Sequence, residues 1–322
     1  MLIASLLLAS QLGKVTDAVN TRIQRSTILS DPNQPQRSEQ TLMVGGAQIE
    51  VELRLGNHSL GRTDVLDWVR KATDAVTVYY GTFPVQHARI IVIQTGEDDD
   101  SIHGTSWGNV AGVQALSRMR LGREVTRANL DADWTMTHEL VHMALSSLPD
   151  ESHWLEEGLA TYVEPIARAQ AGQVSISKIW GDMVAGMPLG EPEAGGRGLD
   201  HTHTWGRTYW GGAMFCLTAD IRIRQATHNQ KGLEDALRAI TVQHATIDTE
   251  WPLRRVLEIG DQATGTTVMS DLYQEWKDKP VSVDLGQLWR QLGIISTAHG
   301  VEFNSDAPLA HIREAITRPV EN

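Results

Sequence analysis

The sequence His138-Glu139-Leu140-Val141-His142 places two histidines four positions apart in a stretch with the apolar periodicity of a helix. Asp131 or Asp133 can cap this helix at its N-terminus. Residues i and i+4 lie on one face of a helix, so both imidazoles can bind the same metal ion. Glu139 points roughly 100° away around the helix axis, which suits a base acting on water better than a third ligand. The stretch therefore predicts the metal centre of a zinc hydrolase.

A second helix has to supply the missing ligand, because catalytic zinc usually takes three protein ligands and leaves a fourth position for water. Pro149 ends the first helix, and a new stretch with helical periodicity follows it. This second stretch carries Glu156-Glu157-Gly158. Glu157 is the predicted ligand and Glu156 its rival, since neighbours on a helix diverge by about 100° and only one can face the metal. Gly158 would let the two helices approach closely.

Two plainer explanations compete with a metal site. In a chain with this many His and Glu residues, a chance HExxH match has a probability on the order of a few per cent. The two histidines could also be hydrogen-bonded residues of an apolar core. The combination of the histidine pair, a helix-breaking turn and the Trp154-Leu155-Glu156-Glu157-Gly158 helix favours the metal site.

These segments resemble the gluzincin metallopeptidases, in which HExxH is joined by a Glu from a W-L-x-E-G-x-A-x-Y helix. Residues 154–164 match that helix and place the ligand on Glu157. Tyr209-Trp210-Gly211-Gly212-Ala213 is similar to the gluzincin segment whose Tyr stabilises the tetrahedral intermediate, although Gly211 stands where those enzymes carry Lys. The likeness extends over roughly residues 131–294 and is greatest to the glycyl aminopeptidase branch.

The resemblance implies an α+β, thermolysin-like zincin fold. A small N-terminal lobe with a mixed sheet and a mainly helical C-terminal lobe would enclose the active-site helix. It also implies one Zn²⁺ per chain, bound by His138, His142 and Glu157. Glu139 would be the catalytic base, and Tyr209 would donate a hydrogen bond to the oxyanion.

Two further site predictions concern the surroundings of the zinc. Glu164, two helical turns beyond Glu157, could orient a zinc-bound imidazole or be a solvated carboxylate near the helix end. Residues 103–119 correspond to the substrate-binding edge strand of gluzincins, with Gly112 and Val113 as predicted substrate contacts. The aminopeptidases of this group carry a Glu there that binds the free amine of the substrate. This chain has no acidic residue between 103 and 119, so the sequence leaves exopeptidase and endopeptidase activity open.

The predicted function is a zinc-dependent metallopeptidase that acts on a peptide or protein. One alternative is a catalytically silent zinc protein that binds peptides or a partner, and another is a zinc amidohydrolase on a non-peptide substrate. The presence of both Glu139 and Tyr209 favours catalysis, because binding alone requires neither. The net charge of −12 over 322 residues, with no dense basic patch, excludes nucleic acid as the expected partner.

The N-terminal residues 1–10 form an apolar run that resembles the core of a secretory signal, without a basic segment before it. It predicts export to the periplasm or the outside, with a cytoplasmic protein as the alternative, and no stable membrane span. Residues 1–38 are assigned to this segment and a linker, 39–130 to a β-rich upper lobe and 131–322 to a zinc-binding helical lobe. Together they would form one catalytic domain.

Local patterns predict most of the remaining elements. Residues 41–55 alternate about Gly45-Gly46, which predicts a hairpin, and residues 88–94 form a strand. Residues 64–80 have helical periodicity that Gly81 ends. Residues 171–204 are rich in Gly and Pro and are expected to be a loop, and residues 301–316 a short tail. Further helices are expected over residues 209–225, 233–242, 252–260, 267–277 and 285–292.

Overall fold

A computed structural model describes residues 36–56, 60–110 and 112–320. The N-terminal part is a five-stranded mixed sheet with the order β1-β2-β3-β5-β4. Strands β2, β3 and β5 are parallel, while β1 and β4 run antiparallel to their neighbours, so β4 lies at one edge. The strands are β1 (Gln36–Val44), β2 (Ala47–Leu55), β3 (His87–Gln94), β4 (Ile102–Val110) and β5 (Val113–Leu121).

The sheet is built as its sequence pattern predicts. Gly45 and Gly46 have φ values of 55° and 83° and form the tight turn of the β1–β2 hairpin, a conformation that glycine adopts without strain. Ala88, Ile90 and Val92 alternate along β3 and are buried. Helix α1 (Arg62–Tyr80), which ends at Gly81 in the left-handed region, contributes to the same apolar core.

The remainder of the chain is mainly helical, so the predicted α+β organisation is confirmed at this level. A short helix, α3 (Thr135–Val141), lies between β4 on one side and α1 and α4 (His153–Gln170) on the other. The helices are α2 (Arg127–Ala132), α3 (Thr135–Val141), α4 (His153–Gln170), α5 (Ile176–Gly186), α6 (Gly212–Ala226), α7 (Leu233–Val242), α8 (Leu253–Thr264), α9 (Val268–Trp276), α10 (Leu285–Leu292) and α11 (Ala310–Ile316). A small hairpin, β6 (Ile294–Thr297) and β7 (Gly300–Phe303), precedes α11.

Two segments expected to be irregular are in fact folded into the core. Within residues 171–204, α5 buries Ile179, Trp180 and Met183, and its N-terminus is capped by the hydroxyl of Ser175. Within residues 301–316, α11 buries Ile312. Gly181 lies inside α5 without ending it, Gly186 is its last residue, and the prolines and remaining glycines of residues 171–204 lie outside this helix, so their density did not mark an irregular segment.

The first helix of the motif also ends earlier than predicted. Helix α3 stops at Val141 and one 3₁₀ turn, His142–Ala144, follows it. The chain is then extended, because the Ser147 amide donates to the Thr249 carbonyl at 2.9 Å. Pro149 therefore begins the next turn and does not break the helix.

The predicted secretory segment and most of the predicted linker lie outside the described residues. Across the ranges that the structure does describe, the helices are too short or too polar to cross a membrane.

Candidate metal centre

Helix α3 is fixed at its N-terminus by Asp133. One carboxylate oxygen accepts the amide of Thr135 and the other accepts the amide of Met136, both at 3.0 Å. The indole of Trp68 in α1 donates to the same carboxylate at 3.0 Å, which ties α3 to the helix behind it. Asp131, the other predicted cap, instead pairs with Lys71 at 2.6 Å. Asp133 thus both begins the helix and sets its position.

His138, His142 and Glu157 meet at one point. The Nε2 atom of His138 lies 3.2 Å from Oε2 of Glu157, and the Nε2 atom of His142 lies 3.6 Å from the same oxygen. One potential ligand atom from each residue falls within 4.8 Å of the other two. The two histidines come from successive turns and the glutamate from the first turns of α4, so the cluster could hold a metal ion.

These separations fit zinc. Bonds of about 2.0–2.1 Å in a tetrahedral arrangement put neighbouring ligand atoms about 3.3 Å apart. The two imidazole-to-carboxylate distances of 3.2 and 3.6 Å bracket that value. Two neutral imidazoles and one carboxylate are also a donor set that catalytic zinc uses, with one position left for water.

The charges of the cluster are set by burial and by mutual contact. Burial raises the pKa of Glu157, but hydrogen bonds with His138 and His142 outweigh it and hold that pKa well below its ordinary value. Burial lowers the pKa of His138, against the opposing influence of Glu157. Burial also lowers the pKa of His142, but the hydrogen bond with Glu157 and its charge more than offset this and raise it. Glu157 is thus ionised and His138 neutral, as metal binding requires, while a metal ion would compete with a proton at His142.

The structure separates Glu157 from its rival Glu156. One oxygen of Glu156 accepts the amide of Leu148 at 2.9 Å and the other contacts Nδ1 of His153 at 2.8 Å. Glu156 thus faces the loop before α4, while Glu157 faces the two histidines. His153, which the sequence did not predict as a site residue, places its Nε2 3.6 Å from Oε1 of Glu157. Its spacing of four residues before Glu157 was the available signal.

Gly158 allows a close approach, although to a different helix from the one predicted. A Cβ atom on Gly158 would collide with the backbone of Gly212, the first residue of α6. A Cβ on Gly212 would likewise collide with the carbonyl of Trp154 in α4. Two glycines therefore let α4 and α6 cross at backbone contact, directly beside Glu157.

This crossing brings Tyr209 to the centre. Residues Arg207–Gly211 form a π-helical turn just before α6, a feature that often occurs at functional sites. The Tyr209 ring stacks on His138 with centroids 6.1 Å apart and an angle of 14° between the planes. Burial, together with the nearby Glu157 carboxylate, raises the pKa of Tyr209, so its hydroxyl remains a hydrogen-bond donor.

Glu139 lies under the edge strand β4. A Cβ on Gly104 would collide with the side chain of Glu139, and the Ser106 hydroxyl donates to the Glu139 carbonyl at 2.9 Å. The predicted contacts Gly112 and Val113 lie instead at the tip of the β4–β5 hairpin, where Val110 pairs with Val113. At about 3.3 Å per residue, the strand from Gly104 to its end at Val110 is about 20 Å long. The structure thus places Gly104 and Ser106, and not Gly112 or Val113, beside the helix that carries Glu139.

Glu164 does not have either of its predicted environments. It is buried in the middle of α4, and Arg168 donates to its carboxylate at 2.8 Å. Among the described residues, no hydrogen-bond partner is found for Nδ1 of His138, so Glu164 does not orient that imidazole. Position i+7 lies only about 20° around the helix from Glu157 but about 10.5 Å farther along its axis, and this axial distance separates the two carboxylates.

Comparisons with known proteins give a fold and no closer relative. No protein-family model matches the chain, and no curated protein matches its sequence. An aminopeptidase N family protein from Idiomarina loihiensis superposes with a TM-score of 0.59 at 13% identity, over 81% of this chain and 50% of that one. The chain shares its fold with these peptidases.

Two further structures support the same fold. An M1 zinc metallopeptidase from Deinococcus radiodurans has a TM-score of 0.50 at 15% identity, over 78% of this chain and 53% of that one. A two-domain M1 zinc metallopeptidase bound to L-arginine matches with the same values. The chain spans about half the length of these proteins.

Proposed function

We propose that the protein is a zinc-dependent metallopeptidase of the gluzincin type. The observation that carries the proposal is the meeting of His138, His142 and Glu157 at the ligand spacing of tetrahedral zinc. The presence of Glu139 on the same helix and of Tyr209 against His138 adds the two other groups that amide hydrolysis needs. The fold shared with zinc metallopeptidases and its placement of the motif helix beside a sheet edge agree with a thermolysin-like arrangement.

The roles of the residues follow from their positions. Zinc, when bound, would polarise the scissile carbonyl and lower the pKa of water at the site towards neutrality. Glu139 accepts the proton of the attacking water and delivers it to the leaving amine, provided that both lie within hydrogen-bond reach. Tyr209 donates from its protonated hydroxyl to the developing oxyanion.

The edge of β4 would bind the peptide. Among the described strands, β4 pairs with β5 alone, which leaves its other side available to an extended substrate. Gly104 leaves room for the backbone of β4 to pass over Glu139. Main-chain pairing with residues near Gly104 and Ser106 would thus align a scissile bond above the metal centre.

The test is mass spectrometry of a mixed peptide pool incubated with the zinc-loaded wild type and with Glu139→Gln. We expect cleavage by the wild type, and a loss of about 10²–10⁴-fold in rate for the variant. Metal analysis of both proteins is the control, because Glu139→Gln should retain zinc. Products that differ by single N-terminal residues would identify an exopeptidase, and internal fragments an endopeptidase.

Absence of cleavage by wild-type protein that still carries zinc would contradict the proposal. Peptide binding without cleavage would then indicate the catalytically silent alternative. Turnover of non-peptide amides, lost in Glu139→Gln, would indicate the amidohydrolase.

A further inference from the structure

Two large apolar side chains stand exposed beside the metal centre. Trp134 is 52% exposed and Trp205 is 61% exposed, although most large apolar side chains in the described residues are buried. Burying an indole would gain roughly 25 cal/mol of free energy for each Å² of apolar surface removed from water, and an exposed indole does not have this stabilisation. Exposed apolar patches of this kind are typical of binding sites.

The two indoles join the catalytic residues in one continuous series of rings. Trp134 meets His138 edge-on, with centroids 5.4 Å apart and an angle of 87°. His138 stacks on Tyr209, which in turn stacks on Trp205 with centroids 5.6 Å apart and an angle of 26°. Trp134 therefore contacts the proposed metal ligand His138, and Trp205 contacts the proposed oxyanion donor Tyr209.

Backbone elements hold both indoles in place. Trp134 lies one turn before His138, directly after the Asp133 cap that anchors α3. Trp205 lies one turn before Tyr209, and a Cβ on its neighbour Gly206 would collide with the Leu189 carbonyl. Leu189 is itself 54% exposed and extends the apolar surface. We call Trp134, Trp205 and Leu189 the aromatic rim.

Charged neighbours are turned away from this rim. Asp133, next to Trp134, directs its carboxylate to the α3 amides and to Trp68. Arg207, close to Trp205, is buried and donates to the Gly190 carbonyl. The side chains of the rim are uncharged, so it is suited to an apolar ligand group and offers no counter-charge to an ionic one.

From these contacts we infer that the aromatic rim is a specificity site. It binds a bulky apolar side chain, and an aromatic one most tightly, at a substrate position close to the scissile bond. Stacked and edge-on rings are the preferred partners of another aromatic ring. The inference rests on the proposed function for the identity of the ligand as a peptide, and it names the class of peptide.

The test measures binding without cleavage. The peptides share one sequence, in which each central position carries Phe, Leu, Ala, Asp or Lys in turn. Each peptide is titrated into zinc-loaded Glu139→Gln protein, and calorimetry measures its binding. We expect one position at which Phe binds at least tenfold more tightly than Ala, with Leu between them. Asp and Lys should bind no better than Ala.

Three additional variants, each made in the Glu139→Gln protein, connect that preference to the rim. Trp205→Ala should reduce the Phe-to-Ala ratio to about one, and Trp205→Phe should retain most of it. Trp289→Ala removes a half-buried indole from α10 and should leave the ratio unchanged. Zinc content and circular dichroism check that each variant is folded.

The outcomes separate this inference from the proposed function. Three results would overturn the inference that the aromatic rim is a specificity site. They are an unchanged Phe preference in Trp205→Ala, no side-chain preference at all, and a preference for a charged residue. A Trp205-dependent Phe preference would support it even if the wild type cleaves no peptide, in which case only the proposed chemistry fails. Cleavage of the peptide pool without any dependence on Trp205 would retain the peptidase and overturn the rim.

Discussion

Two buried clusters of charged and polar groups lie on neighbouring parts of the helical region, and they are built differently. In the first, His138 and His142 direct ring nitrogens and Glu157 an oxygen towards one point. In the second, Arg224 donates to Asp220 at 2.8 Å and to both oxygens of Glu234 at 2.7 Å.

The second cluster is complete. The remaining oxygen of Asp220 accepts the Tyr162 hydroxyl at 2.8 Å, and the Leu233 amide donates to Asp220 at 3.0 Å. Burial lowers the pKa of Arg224, but Asp220 and Glu234 more than offset this and raise it. Donors and acceptors are matched, so the cluster joins α4, α6 and α7 without a bound ion or ligand.

The candidate metal centre is built without such a fixed cation. Its carboxylate, Glu157, faces the Nε2 atoms of two histidines instead of a permanently charged guanidinium. The three potential ligand atoms lie within 4.8 Å of one another, so one bound cation would contact all of them. The difference indicates that a cluster with its own cation holds a fold together, whereas a cluster of converging ligand atoms is suited to binding one.

The largest expected effect comes from Glu157→Ala, which should abolish stoichiometric zinc and all peptidase activity. Glu156→Ala is the matched control, because its carboxylate faces Leu148 and His153. Glu156→Ala should retain zinc after dialysis. Metal analysis by mass spectrometry measures both, and equal zinc loss in the two variants would show that Glu156 belongs to the centre.

Arg224→Met should destabilise the protein by about 3–5 kcal/mol, because it leaves two buried carboxylates without their cation. Arg222→Met is the control on the same helix, since Arg222 is exposed and pairs only with Glu275 in the described residues. Its cost should be at most about 1 kcal/mol. Urea denaturation with zinc present measures both, and comparable values would contradict the structural role of the cluster.

Tyr209→Phe should lower kcat by about 10²–10³-fold with little change in KM, because the hydroxyl acts on charge that develops only in the transition state. The ring and its stacking on His138 are retained, so zinc content should not change. Steady-state kinetics on a cleaved peptide is the measurement. A rise in KM at constant kcat would assign Tyr209 to substrate binding instead.

The smallest effect concerns Glu164. Burial raises its pKa to about 7, Arg168 lowers it in part, and Asp133 and Asp182 raise it further. The folded pKa of Glu164 lies above the unfolded one. The stability that this group contributes is therefore fully present below about pH 4.5 and is lost as pH rises through 7. Glu164→Gln should remove about 1–3 kcal/mol of this dependence between pH 5 and pH 8.

The measurement is the free energy of unfolding at both pH values, with the exposed Glu193→Gln as control. An identical pH dependence in wild type and Glu164→Gln would contradict the raised pKa.

Much of the fold could be predicted because its signals are local. The β1–β2 hairpin follows from alternation around Gly45-Gly46, and α1 from its apolar period and the cap at Gly81. Helices α7 and α10 match their predicted bounds. The errors fell on α5, α11 and the end of α3, where contacts with distant parts of the chain decide the conformation.

The sequence by itself determined the chemistry of the centre. The spacing of His138 and His142 follows from the helical period, and the glutamates of the second helix provide a carboxylate of the kind zinc binds. A motif of this kind needs only the geometry of one helix turn, so it can be recognised without knowing what packs around it.

Only the tertiary structure decided how the rest assembles around that centre. It directs Glu156 to Leu148, crosses α4 and α6 at Gly158 and Gly212, and brings Tyr209 against His138. It also places Gly104, and not the tip of the β4–β5 hairpin, beside Glu139. These contacts join residues far apart in the chain, and they depend on how closely backbones can pack, which no local periodicity specifies.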